Sequence, residues 1–281
     1  MLVKRSALFT VLVVTLLAIA TGSASAQVSG SVRDVEEQMG IGGKVDWTTG
    51  LITATGIGAP PASADNPAQT RGMAERAAYV VALRNLLESV KGVRVDSTTT
   101  VENFIVANDT VRTQVSGMVQ GATILNKKYI SDGSVEITLG VYLRGAMTDT
   151  LLPKGAGIPL SAASPSAAIA YTGLVVDARG LGVRPAMTPR ILNEDGKEVY
   201  GSARINRDYA VREGMVGYLK DPAAAQANPR VADRPLVLKA MKVTGENRVD
   251  LVVSNADAAM LQSASQNLSF LEKCKVIILV D

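Results

Sequence analysis

Between Ser134 and Arg144 apolar and polar side chains alternate, with Val135, Ile137, Leu139, Val141 and Leu143 on one side and Glu136, Thr138, Tyr142 and Arg144 on the other. Successive side chains of a strand point to opposite faces, so this pattern describes an antiparallel strand buried on one face only. Something must cover that face. The segment Pro67 to Lys91 has the length and helical period to do so.

The start of that helix is written locally. Asn66 can serve as N-cap, Pro67 fits the first helical position, Gln69 stands three residues after the cap, and Gly92 is expected to end the helix in a left-handed conformation. At 100° per residue Met73, Val80, Leu83, Leu87 and Val90 share a face flanked by Ala77 and Tyr79, and this is the expected buried face.

A hairpin is expected ahead of the helix, from Lys44–Trp47 and Leu51–Ile57 around Thr48-Thr49-Gly50, with Trp47 as a hairpin anchor. Val32–Met39 is expected as a short helix, and the Pro-rich Gly58–Asp65 as a loop. A second amphipathic helix is expected over Thr100–Val119, then a hairpin of Ile124–Ser131 and Ser134–Arg144 joined by Asp132-Gly133 as a type I′ turn.

Residues 151–168, rich in Pro, Gly, Ser and Ala, read as a linker. Beyond it, Thr172–Asp177, Pro189–Leu192, Leu236–Val243, Val249–Ser254 and Cys274–Val280 are expected strands. Asn255–Lys273 is an expected helix, Asn193–Lys197 a turn and Pro222–Pro235 a long surface loop. The expected fold class is α+β. A domain of hairpins packed with two amphipathic helices (27–150) precedes a smaller α/β domain (169–281).

The first 26 residues have the form of a secretory leader: Lys4 and Arg5, an apolar run from Leu8 to Ile19, and the small-x-small site Ala24-Ser25-Ala26. Cleavage there leaves roughly 255 residues, enough for two ordinary domains, with a net charge within about one unit of neutrality. That balance argues against nucleic acid as a partner. The single cysteine, Cys274, adjoins an apolar run and reads as an inert core thiol, and no internal disulfide is available. It is also far from the leader, so no direct lipid anchor is expected.

The sequence contains no histidine. Ser-His-Asp and Cys-His catalysis are thereby excluded, and the commonest ligand of zinc, copper and haem is missing. No catalytic, cofactor-binding or metal-ligating residue is expected, and no cofactor. Gly56-Ile57-Gly58 and Gly180-Leu181-Gly182 each follow a strand, but prolines come after them where a phosphate-binding helix should open. Three residues remain as candidate ligand or partner contacts. Arg76 falls near the apolar stripe of the long helix, and Asp177 and Arg179 stand at a strand end where α/β domains often bind ligands.

The run Gly50–Gly58, the Pro loop and the Ala-rich helix Arg71–Leu87, followed by Val115–Ala122 and the hairpin through Leu143, resemble the LPP-twenty lipoprotein family and the N-terminal domain of the flagellar assembly protein T. The resemblance covers about residues 43 to 145. It implies an exported, non-enzymatic envelope protein, periplasmic or associated with the outer membrane, whose partners are envelope or flagellar proteins. It supplies no catalytic residues. The alternatives are a periplasmic protein binding a small ligand in the interdomain cleft, and a carboxylate-dependent hydrolase, for which no spacing singles out a pair. Oligomeric state is not readable from the sequence.

Overall fold

The first sheet forms where the alternating strands demand it. In the computed structural model, which describes residues 34–62, 66–153, 171–263 and 269–281, five antiparallel strands lie in the order β1-β2-β3-β5-β4. They are β1 (Glu36–Met39), β2 (Gly43–Asp46), β3 (Leu51–Gly58), β4 (Thr123–Tyr129) and β5 (Val135–Tyr142). Of the expected helix at Val32–Met39, Glu36–Met39 is therefore a strand. Its residues pair with β2 from Glu36↔Asp46 to Met39↔Gly43, and tertiary pairing overrides a weak helical pattern.

Helix α1 (Pro67–Lys91) covers one face of this sheet, and Asn66 caps it by accepting from the Ala68 amide. Its buried face differs from the expected one. Ala74, Ala78, Ala82, Leu86 and Val90 are buried, whereas Met73 and Val80 are about half exposed. The cause lies on β3. A Cβ at Gly56 would sit 2.2 Å from the Ala82 nitrogen, and one at Gly58 would sit 2.1 Å from the Ala74 carbonyl oxygen. Helix and strand backbones thus approach so closely that only alanines fit between them, and the two glycines serve packing rather than phosphate binding. Gly92 also departs from expectation, ending the helix in a right-handed conformation at φ −72°.

The expected helix over Thr100–Val119 is two helices, α2 (Val101–Ala107) and α3 (Asp109–Gln120). Asn108 separates them, since its side chain accepts from the Thr110 and Val111 amides and its backbone is extended. The hairpin of β4 and β5 turns through three residues, Ser131 to Gly133, not two. Ile130 pairs with Ser134, and Gly133 takes the left-handed conformation at φ +87°. Helix α4 (Ala146–Leu151) follows.

Two further sheets build the C-terminal region. Strands β6 (Gly173–Asp177), β9 (Gly217–Leu219), β10 (Pro235–Lys239) and β13 (Val276–Leu279) form an all-parallel sheet ordered β10-β6-β13-β9. Strands β7 (Ile191–Leu192), β8 (Glu198–Tyr200), β11 (Lys242–Thr244) and β12 (Asp250–Val252) form the other, ordered β11-β12-β7-β8. The expected single strand Leu236–Val243 is divided between them at Ala240-Met241, whose amides donate to Asp177 in one sheet and Val252 in the other.

Helices α5 (Arg207–Glu213), α6 (Pro222–Gln226), α7 (Asn255–Ser263) and α8 (Ser269–Glu272) complete the fold. Helix α6 occupies the start of the expected loop Pro222–Pro235, because Asp221 caps it and Pro222 starts it. The expected helix Asn255–Lys273 is represented by α7 and α8, with residues 264–268 outside the described residues.

The class is mixed α+β, and one apolar interior runs from Val45 and Ile52 of the first sheet to Leu174 and Ile278 of the parallel one. The leader and most of the expected linker lie outside the described residues. Among the described residues no helix is long and apolar enough to cross a membrane.

Candidate functional site: a cationic cleft at the seam

The structure brings two of the three candidate contacts together. At the C-terminal end of β6, Arg179 donates from Nε (2.8 Å) and Nη2 (2.6 Å) to the two oxygens of Asp177. Those bonds, with the Arg179 charge, hold the Asp177 carboxyl below its ordinary value. Each group answers the other, leaving neither fork nor carboxylate open. Arg76 stands apart on the exposed surface of α1, a consequence of the rotated buried face.

A substantial cavity lies elsewhere. A cleft of about 510 Å³ opens where the β2–β3 turn and the end of β5 meet edge strand β9 and the chain leading into β13. Its volume is that of a small-molecule site. Five of its lining residues are cations, Arg144, Arg212, Arg230, Lys273 and Lys275, and only Glu213 carries a carboxylate. Leu143, Met187 and Ile277 contribute apolar surface. A cleft of one sign concentrates the field on an oppositely charged ligand.

Most of these cations have local contacts that hold them in place. Arg144 reaches back across the β2–β3 turn and donates to the Thr49 carbonyl (2.8 Å). Arg212 stacks over the Tyr209 ring at 4.9 Å and lies 3.9 Å from Glu213, both partners well exposed. Arg230 is the most firmly fixed. Its Nη1 donates to the carbonyls of Gly214 (3.2 Å) and Cys274 (2.7 Å), and its Nη2 to that of Glu213. Three main-chain oxygens therefore orient the guanidinium, and among the described residues no carboxylate is bonded to it. Burial pushes the Arg230 guanidinium below its ordinary value, and the nearby Arg144 charge works in the same direction.

The wall of the cleft is rigid. Trp47 stacks edge-on against Tyr218 at 5.9 Å and donates from Nε1 to Glu37 (3.1 Å). Thr48 donates to the Tyr218 carbonyl (3.2 Å), and the Tyr218 hydroxyl donates to the Ala186 carbonyl (2.9 Å). The expected hairpin anchor is thus also the joint between the first sheet and β9. Cys274 lies behind the cleft, fully buried, and burial pushes its thiol up to about 11. Such a thiol is a packing group.

No local motif announces this cleft in the sequence. Its cations come from positions 144, 212, 230, 273 and 275, on four separate stretches of chain, and only folding gathers them. The one local hint is the pair Lys273 and Lys275 flanking the lone cysteine. Among the described residues no three acidic or thiol side chains converge as a metal ion would require.

Most of the cleft lies in the region that also resembles a known domain. Residues 173–281 match the family model of the second domain of Treponema pallidum Tp0624. The match excludes residues 43–145, on which the resemblance to the LPP-twenty and flagellar proteins rests. No curated protein matches the chain.

Proposed function

We propose that the chain is an exported, non-enzymatic binding protein of the cell envelope, and that it holds an anionic group in the cleft at the seam. The observation that carries this reading is the lining of that cleft, five cations against one carboxylate, with Arg230 fixed by main-chain oxygens instead of a counter-ion. Export is supported by the leader pattern of residues 1–26, and the binding role by a sequence without histidine. The resemblance of residues 43–145 to envelope and flagellar assembly proteins adds support for the compartment.

Thermal unfolding at low salt tests the cleft. Carboxylate, phosphate and sulfate anions are screened against the wild type and against Arg144→Gln combined with Lys275→Gln. At least one anion class is expected to raise the melting temperature of the wild type, and the double variant to lose that shift. An unchanged melting temperature with every anion overturns the reading. Export is tested by cell fractionation and N-terminal sequencing, with a mature chain beginning at Gln27 expected in the envelope fraction.

A further inference from the structure

Resting on the reading of the cleft as an anion site, we infer that Gly217 and Arg230 form a seat for one planar carboxylate, and that the ligand is a small organic acid with at least two carboxylates. Arg230 has five N–H groups. Three are taken by the carbonyls of Glu213, Gly214 and Cys274, and among the described residues Nε and the second Nη2 hydrogen meet no acceptor. Nε and Nη2 form the side-on fork of a guanidinium, which two carboxylate oxygens fill in one plane. Among the described residues the same fork is filled by both oxygens of a carboxylate at Arg179 on Asp177, and it grips a single carboxylate oxygen at Arg190 on Asp250. At Arg230 it adjoins the cleft, and among the described residues no acidic side chain fills it.

Gly217 stands beside the Nε arm of that fork. A Cβ there would lie 3.4 Å from Arg230 Nε and 3.5 Å from both Arg230 Cδ and Ile277 Cγ1. The missing side chain therefore leaves a space about one methyl group wide, walled by the guanidinium and Ile277. A flat carboxylate suits so narrow a slot better than a tetrahedral phosphate. A single carboxylate would leave most of the positive charge of the lining unanswered, so a second acidic group belongs against Arg144, Arg212, Lys273 or Lys275. The apolar surfaces of Leu143 and Met187 suit a short hydrocarbon link between the acids.

Isothermal titration at low salt tests the seat with glutarate and tricarballylate as polycarboxylates, pyrophosphate as the phosphate counterpart, acetate as the single acid, and a short peptide of aspartates. The variants are Gly217→Ala and Arg230→Lys. Gly217→Ala changes no charge, and its new Cβ makes only ordinary contacts, so its melting temperature is expected to match the wild type. Arg230→Lys keeps the charge and removes the fork.

The polycarboxylates are expected to bind the wild type more tightly than pyrophosphate or acetate, and each variant to weaken them by about tenfold or more. Pyrophosphate binding as tightly as tricarballylate, or Gly217→Ala leaving polycarboxylate binding unchanged, overturns the carboxylate seat while the anionic cleft stands. Preference for the acidic peptide overturns the small-molecule assignment. Failure of every anion to bind overturns the seat and the cleft together.

Discussion

The Arg94 guanidinium, almost wholly buried, closes end-on over the Glu37 carboxylate, with both terminal nitrogens donating, from Nη1 to Oε1 at 3.0 Å and from Nη2 to Oε2. Nε donates to the Pro185 carbonyl (2.8 Å), and the guanidinium lies over the Trp47 ring at 5.8 Å. The pair thus ties the first strand of the N-terminal sheet to the loop preceding β7. It holds the wall of the cleft at the same time, because Trp47 donates to the same carboxylate.

Removing the Glu37 charge strands a buried cation. Glu37→Gln is expected to cost about 3 kcal/mol at neutral pH. Burial alone would raise the Glu37 pKa, but the bonds and charge of Arg94, with the bonds of Trp47 and Arg184, outweigh it and hold the carboxyl below 4.5. A carboxyl with a depressed folded-state pKa stabilises above its unfolded value, and the gain disappears as pH falls through the folded one. The difference in urea midpoint between wild type and Glu37→Gln should therefore be full at pH 7 and shrink below about pH 4.

The close approach of α1 to β3 makes Gly56 intolerant of any side chain. Gly56→Ala places a methyl carbon 2.2 Å from the Ala82 nitrogen and 2.4 Å from the Ala78 oxygen, both backbone atoms. Helix and sheet must separate, at an expected cost of about 3 kcal/mol. Gly72, with open space at its Cβ position, is the control. Gly72→Ala is expected to leave the melting temperature level or raise it slightly.

The rotated face of α1 separates two residues of similar character. Leu86 is fully buried and Val80 about half exposed. Leu86→Ala is expected to destabilise by about 2–5 kcal/mol, and Val80→Ala by no more than about 0.5 kcal/mol. Chemical denaturation of both variants checks the face directly, since equal losses would restore the face deduced from large apolar residues.

Cys274 should resist alkylation while the protein is folded. Its thiol is fully buried and lifted to about 11, so almost no thiolate exists at neutral pH. Iodoacetamide at pH 7.5 is expected to leave the folded chain unmodified and to label it fully in guanidinium chloride, as read by mass spectrometry. Rapid labelling of the folded protein would contradict the packing described around it.

Where local chemistry decided the outcome, the sequence was sufficient. Asn66 and Pro67 start α1 as expected, the Asn193–Lys197 turn joins β7 to β8, and the alternation of residues 135–143 buries Val135, Ile137 and Leu139. These features depend on neighbouring residues in the chain. Capping at Asn108 and Asp221 was equally local, yet apolar positions on both sides of Asn108 masked the first, and the prolines and small residues around the second read as loop.

Other outcomes depended on partners distant in sequence. Large apolar side chains pointed to one face of α1, but Gly56 and Gly58 draw the backbones together and reserve the interface for alanines. Glu36–Met39 became a strand because β2 offered a pairing edge. The cationic cleft has no counterpart in any linear motif. Charge at positions 144, 212, 230, 273 and 275 is unremarkable along the chain, and becomes a concentrated field only when β5, α5, β9 and the approach to β13 converge. By itself the sequence determined the capped start of α1, the alternating strand β5 and the absence of histidine chemistry. Tertiary packing decided which faces are buried and where the positive charge gathers, because both depend on distances that sequence separation does not encode.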